Sequence, residues 1–120
     1  MGIKLEQFKA ERQRLNDLVL STENTHIKRF FTLDNAVYSK GAIPVKYKEM
    51  LGLAASMVLR CDDCIAYHVD RCFEEKVSKE EMDELMSIAL VVGGSITIPH
   101  VRRAYDLWDE LSKDQAKKSV

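Results

Sequence analysis

The sequence predicts an all-α chain, one domain of about six helices, and three observations support this. Apolar residues recur at the i, i+3, i+4, i+7 spacing of a buried helix face in successive segments. Residues that start and stop helices stand at the ends of those segments, and no run alternates apolar with polar as a half-buried strand does. The length of 120 residues suits one domain and is too short for two.

The first helix is expected from about Leu5 to Leu20, a highly charged segment with Leu5, Phe8, Leu15, Leu18 and Val19 as its sparse apolar positions. A second, from about Asn24 to Ser39, carries Ile27, Phe30, Phe31, Leu33 and Val37. It should stop at Gly41, a residue type favoured just past a helix end. Pro44 opens a third helix, since proline is tolerated in a first turn, and that helix runs to about Arg60. Its first turn is polar through Lys46, Lys48 and Glu49. The following MLGLAASMVL is apolar nearly all round, which predicts a helix enclosed on most sides. A fourth helix spans about Asp62 to Glu75. Ser78-Lys79-Glu80-Glu81 reads as a capping box that starts a fifth, with Met82, Leu85, Met86, Ala89 and Leu90 as its stripe and Gly93-Gly94 as its stop. A sixth begins between Ser95 and His100 and aligns Val101, Ala104, Tyr105, Trp108 and Leu111. The tail from 113 to 120 is expected to fray. No internal repeat or linker divides the chain.

Charged residues make up 31% and hydrophobic ones 46%, an ordinary globular balance. Lys plus Arg is 18 and Asp plus Glu is 19, a formal net charge of −1, so no basic surplus points to nucleic acid. The longest apolar stretch, Met50 to Leu59, is broken by Gly52 and Ser56 and falls short of the ~20 residues of a membrane span. The opening MGIKLEQFKAERQR has no apolar run behind its charges, so no secretory signal is expected. Gly2 is a poor myristoylation site because position 6 is not Ser or Thr. The expected compartment is the cytoplasm. A domain of this size hides only about two-thirds of its unfolded surface, so an enclosed third helix implies contact with another copy. A homo-oligomer is therefore expected.

Cys61, Cys64 and Cys72 are too few and too odd in number for a disulfide-stapled scaffold, and a close pair in a reducing compartment points to redox or metal chemistry. At about 100° per residue, Cys61, Cys64 and His68 fall within about 60° of one another on the fourth helix, with Cys72 two turns below Cys64. Ile65, Val69 and Phe73 occupy the adjacent arc, and Asp63, Asp70, Arg71 and Glu74 the opposite one. The Cys/His line thus borders the buried face. The first turn of a helix, with its unpaired N–H groups and positive dipole end, favours the thiolate. Asp62 and Asp63 oppose this, and Arg60 offsets part of it. Glu49 precedes Cys61 by ~18 Å of straight helix; an antiparallel return leaves axial offsets of ~13 Å to Cys64 and ~7.5 Å to His68. Glu49 is therefore out of reach of the thiol and within reach of the imidazole, directly or through water, in the order Glu49, His68, Cys64. Gly52 and Ser56, on the same face, are small enough to let the two helices approach closely.

These residues resemble the E-x11-C-x-x-C-x-x-x-H pattern of the alkylhydroperoxidase D (AhpD)-like branch of the carboxymuconolactone decarboxylase family: Glu49, eleven residues, Cys61-Asp62-Asp63-Cys64, three more, His68. The likeness continues through ALVVGGS (Ala89 to Ser95) and PHVRRA (Pro99 to Ala104), and covers about 36–111. It implies an all-α fold with the CxxC opening a central helix, assembled as trimers or hexamers. It implies thiol peroxidase or disulfide reductase chemistry without haem, flavin or metal. In that scheme Cys64 attacks the peroxide oxygen and becomes a sulfenic acid, and Cys61 resolves it as a disulfide. An external dithiol, lipoyl- or thioredoxin-like, then reduces the bond. The family's second histidine, inside the CxxC, is replaced here by Asp63.

Competing readings differ in the chemistry they need. A carboxymuconolactone-type decarboxylase does not use the redox pair. A non-catalytic zinc-binding module would use Cys61, Cys64 and His68 as ligands with Glu49 or water as a fourth, although no second Cys/His pair exists to complete a structural site, and a non-catalytic oligomeric partner protein would need no ligands. Thioredoxin-like chemistry on its usual scaffold lacks the flanking strands. Cys72 reads as core, His100 as a structural or interface residue, and Arg102 and Arg103 as a solvated face in preference to the lining of a site entrance. His26 has no visible partner.

Overall fold

In the computed structural model, which describes residues 3–118, the chain forms α1 (Ile3–Leu20), α2 (Thr25–Val37), α3 (Val45–Leu59), α4 (Asp62–Glu74), α5 (Lys79–Gly93) and α6 (Ile98–Lys118). One 3-10 turn, Ser95–Thr97, joins α5 to α6. Among the described residues there is no strand, as the missing two-residue alternation predicts. Gly2 and the tail residues Ser119 and Val120 lie outside the described residues.

Local chemistry sets most of the boundaries. The Asn24 side chain accepts from the His26 and Ile27 N–H groups and starts α2. Ser78 and Glu81 form the reciprocal capping box of α5. Gly94, at φ 81°, ends α5 in a conformation that a side chain would resist.

Three ends differ from the sequence expectation. α2 stops at Val37, Tyr38 caps it in the right-handed region, and Gly41 does not take a positive φ. Lys48 does the work expected of the glycine: its Nζ donates to Val37 O at 2.7 Å and Ser39 O at 2.6 Å, which satisfies carbonyls left open by the helix end. Pro44 is the cap residue of α3 rather than its first helical residue. The tail does not fray at 113; α6 runs to Lys118, supported by the one-turn pairs Lys113–Asp109 and Lys118–Asp114.

α3 packs against α4 and α5, and α4 against α6. The core gathers Leu53 and Met57, Ile65 and Val69, Met82 and Met86, and Trp108, whose ring meets Phe73 edge-on at 5.0 Å. Leu5 anchors α1 there, fully buried, while α2 buries no residue at all. The α1–α2 arm explains a radius of gyration of 15.2 Å, against about 13.6 Å for a compact chain of this length.

The third helix is not enclosed within one chain. It buries Glu49, Leu53, Ser56 and Met57 and leaves Leu51 and Leu59 59% and 77% exposed, because α4 and α5 cover only one side of it. No helix among the described residues is long and apolar enough to cross a membrane.

Candidate active site

Arg60, at φ 59° in the left-handed region, turns the chain sharply out of α3 and makes Cys61 the N-cap of α4. The pair therefore opens α4, as the spacing predicts. Cys61 is half-buried, Cys64 exposed and Cys72 fully buried in the core. The Cys61 and Cys64 sulfurs, both free, lie 2.7 Å apart, in direct contact and beyond the about 2.05 Å of a disulfide.

The acidity of Cys64 runs against expectation. The first-turn N–H of Cys64 donates to Cys61 Sγ at 3.4 Å, so the capping position belongs to Cys61. The Cys61 sulfur, then burial, then the charges of Asp63 and Asp34 push the Cys64 thiol up to about 11. These contacts act against the helix dipole, which favours a thiolate in the first turn. Cys72 is pushed up to about 12 by burial.

α4 doubles back on α3 and brings Glu49 and His68 together. Glu49, 2% exposed, lies 2.8 Å from His68 Nδ1. A carboxylate only accepts, so Nδ1 carries the hydrogen, and the lone pair of the neutral form of the ring is at Nε2. Arg71 Nε stands 3.6 Å from the other Glu49 oxygen and helps offset the burial of that carboxylate. The close approach depends on Gly52. A Cβ there would sit 2.8 Å from His68 Cε1 and 2.7 Å from Tyr38 Oη. Tyr38 Oη lies 3.4 Å from His68 Nε2. Among the described residues, no hydrogen bond joins His68 to either sulfur.

Cys64 and His68 line one cavity of about 520 Å³. Its wall combines Phe8, Arg12 and Leu15 of α1, Asp34 of α2, and Asp63 and Tyr67 of α4, with the Arg12 guanidinium 4.2 Å over the Tyr67 ring. The thiol is thus reached from the cavity, and the imidazole is shielded behind it.

Several positions correct the helical-wheel reading. Asp70 is buried rather than solvent-facing, because α1 covers that side of α4 and Lys9 pairs with it at 3.2 Å. Arg71 turns to Glu49. Arg103 is tied, not merely solvated: Arg103 Nη1 and His100 Nδ1 both hold Asp62, at 3.1 and 2.7 Å, beside the cysteine pair. Arg102 remains exposed. Tyr38, Arg12 and Asp34 were not legible as site residues, since each reaches the site from α1 or the end of α2 and no local pattern marks them. Among the described residues no group of three or more His, Cys, Asp or Glu converges as a metal ion requires.

The sequence model of the carboxymuconolactone decarboxylase family matches residues 26–107. A crystal structure of a Thermotoga maritima protein superposes with a TM-score of 0.91 at 53% identity, covering 93% of this chain and 98% of that one. A second Thermotoga maritima structure gives 0.89 at 51% identity, covering 95% and 97%. That protein is described as a carboxymuconolactone decarboxylase family protein with a suggested part in antioxidative response. An uncharacterized protein of Cupriavidus necator is 25% identical over 77 residues, 64% of this chain and 68% of that one. With the family's sequence pattern spanning most of the chain and its helical fold reproduced nearly end to end, this protein belongs to the carboxymuconolactone decarboxylase family.

Proposed function

We propose that this chain is an AhpD-like thiol oxidoreductase that reduces hydroperoxides through a Cys61–Cys64 dithiol/disulfide cycle. The observation that carries the reading is the pair of free sulfurs 2.7 Å apart, of which Cys64 lines a cavity together with His68. Cys64, the exposed member, attacks the distal peroxide oxygen: an S–O bond forms, the O–O bond breaks, and the thiol proton passes by way of His68 to the departing alkoxide. The products are the Cys64 sulfenic acid and an alcohol. Cys61 then attacks Cys64 sulfur, forming the disulfide and releasing water. Glu49 holds His68 in the tautomer that can take the proton. An external dithiol, lipoyl- or thioredoxin-like, gives up two electrons and two protons to restore both thiols. The antioxidative role suggested for a Thermotoga maritima relative agrees with this direction.

The raised pKa of Cys64 keeps its thiol protonated at neutral pH, so attack requires proton transfer rather than a standing thiolate. Three free thiols fit work in a reducing compartment such as the cytoplasm. The exposed apolar side chains of α2, α3 and α5, with Phe30 at 66%, Leu59 at 77% and Val91 at 87%, favour assembly with further copies of this chain, and the family resemblance implies three or six of them. Sedimentation analysis checks this, and a monomer at micromolar concentration would overturn it.

The deciding experiment measures consumption of cumene hydroperoxide with dihydrolipoamide, comparing wild type with Cys64→Ser and Cys61→Ser. Wild type should turn over, Cys64→Ser should be inert, and Cys61→Ser should stop after one sulfenic acid per site. Equal inactivity of all three, together with turnover of a lactone acid that survives Cys64→Ser, would replace this reading with the decarboxylase one.

A further inference from the structure

His68 is held at both ring nitrogens, and only one of the holders belongs to the sequence pattern. Glu49 takes Nδ1–H. At the other edge Tyr38 Oη stands 3.4 Å from Nε2, with the two ring centroids 5.3 Å apart and tilted by 42°. Two features of the fold hold the tyrosine there. Lys48 clamps the backbone carbonyls on either side of it, Val37 O and Ser39 O. Gly52 leaves open the space in which hydroxyl and imidazole meet. Burial, then the charges of Glu49 and Asp34, raise the phenol above its usual value, so it remains an O–H at neutral pH. Tyr38 does not line the cavity that Cys64 and His68 share. Its action is therefore through His68 and not on a bound molecule.

We infer that Tyr38 is a positioning residue of the relay, whose hydroxyl holds the Nε2 edge of His68 in both protonation states of the imidazole. The inference rests on the thiol oxidoreductase reading of the same site. With neutral His68, the Tyr38 O–H donates to the Nε2 lone pair. Nε2 has a single lone pair, so the hydroxyl hydrogen turns off it before the Cys64 proton is taken; the new Nε2–H is then a donor, and the Tyr38 oxygen accepts from it. The proton leaves again to the alkoxide, and the hydroxyl rotates back. A hydroxyl serves both states, which neither a phenyl ring nor an acceptor-only group does. The ring orientation of His68 is thereby kept while its charge changes.

Tyr38→Phe separates this role from packing, because the ring stays and only the oxygen goes. Two measurements are made on the full-length protein. In the substrate-free state, the ¹⁵N resonances of His68 report which nitrogen is hydrogen-bonded; the Nε2 resonance should move toward that of a free acceptor in the variant. In the peroxide assay, kcat/KM for cumene hydroperoxide should fall roughly three- to tenfold, the value of one hydrogen bond, with the KM for dihydrolipoamide unchanged. A merely structural role for Tyr38 would move neither. Unchanged His68 resonances and an unchanged rate overturn the inference. A shifted resonance in a protein whose wild type consumes no peroxide supports the Tyr38–His68 bond and removes the peroxidase reading instead.

Discussion

Gly52→Ala is the sharpest perturbation that this site offers. A Cβ at position 52 would lie 2.7 Å from Tyr38 Oη and 2.8 Å from His68 Cε1. Ordinary contact begins near 3.4 Å, so the two groups must retreat by about 3.4 − 2.7 = 0.7 Å and 3.4 − 2.8 = 0.6 Å. The tyrosine oxygen is the far end of a half-buried side chain and yields cheaply. The imidazole is pinned, since its Nδ1 bond to Glu49 is 2.8 Å, and a retreat of 0.6 Å away from Glu49 takes that bond to about 3.4 Å, beyond a good hydrogen bond. Overpacking of this kind costs about 1–3 kcal/mol. Replacing glycine by alanine in a helix interior returns about 1 kcal/mol. The net loss of stability, about 0–2 kcal/mol, leaves the chain folded while the relay loses its geometry. Peroxide consumption should therefore fall at least about tenfold, with urea unfolding shifted by no more than about 2 kcal/mol. Wild-type turnover in Gly52→Ala would refute the reasoning. So would an unfolding loss beyond about 4 kcal/mol, because the inactivity would then report collapse of the core.

Other outcomes follow from the same geometry. Glu49→Ala leaves the His68 Nδ1–H without its acceptor and should cost about 2–4 kcal/mol in urea unfolding, against about 1 kcal/mol for Glu49→Gln, which keeps an acceptor oxygen; equal costs would contradict the assigned bond. Only the thiolate reacts with iodoacetamide, so Cys64, at about 11, should label about tenfold faster per pH unit from pH 7 to 10. Asp63 raises that value, so Asp63→Asn must lower it and speed labelling at pH 8; slower labelling would reverse the assigned sign. Cys72, fully buried and at about 12, should stay unlabelled by mass spectrometry until the protein unfolds. Lys76, at φ 64°, carries the cost of a side chain in the left-handed region, and Lys76→Gly should raise unfolding free energy by about 0.5–1 kcal/mol.

Two distances of different kinds underlie the proposed chemistry. The 2.8 Å contact between Glu49 and His68 is a buried pair with a defined donor and acceptor, and it gives the imidazole a fixed tautomer. The 2.7 Å separation of the sulfurs gives Cys61 access to any oxidised form of Cys64 without a large backbone movement. The Asp62–His100–Arg103 cluster beside them ties the start of α4 to α6, which steadies the turn that presents the pair.

Short-range pattern was enough for much of this protein. The Ser78–Glu81 box, the Asn24 cap, the Gly94 stop and the apolar stripes of α5 and α6 act within one or two turns, so the chain announces them directly. The helical rise also sufficed to order Glu49 before His68 and to keep it from the thiols. What the packing of α1 and α2 against α4 decided was beyond that reach. It buried Asp70 beside Lys9, delivered Asp34 and Arg12 to the cavity, and set Tyr38 on His68. The one-sided cover of α3 by α4 and α5 left Leu51 and Leu59 exposed in the single chain, where the apolar run alone read as enclosed on most sides. The acidity of Cys64 belongs to this second group, because it depends on which sulfur, carboxylate and amide stand within a few ångströms in three dimensions, and helical phase carries no such distances.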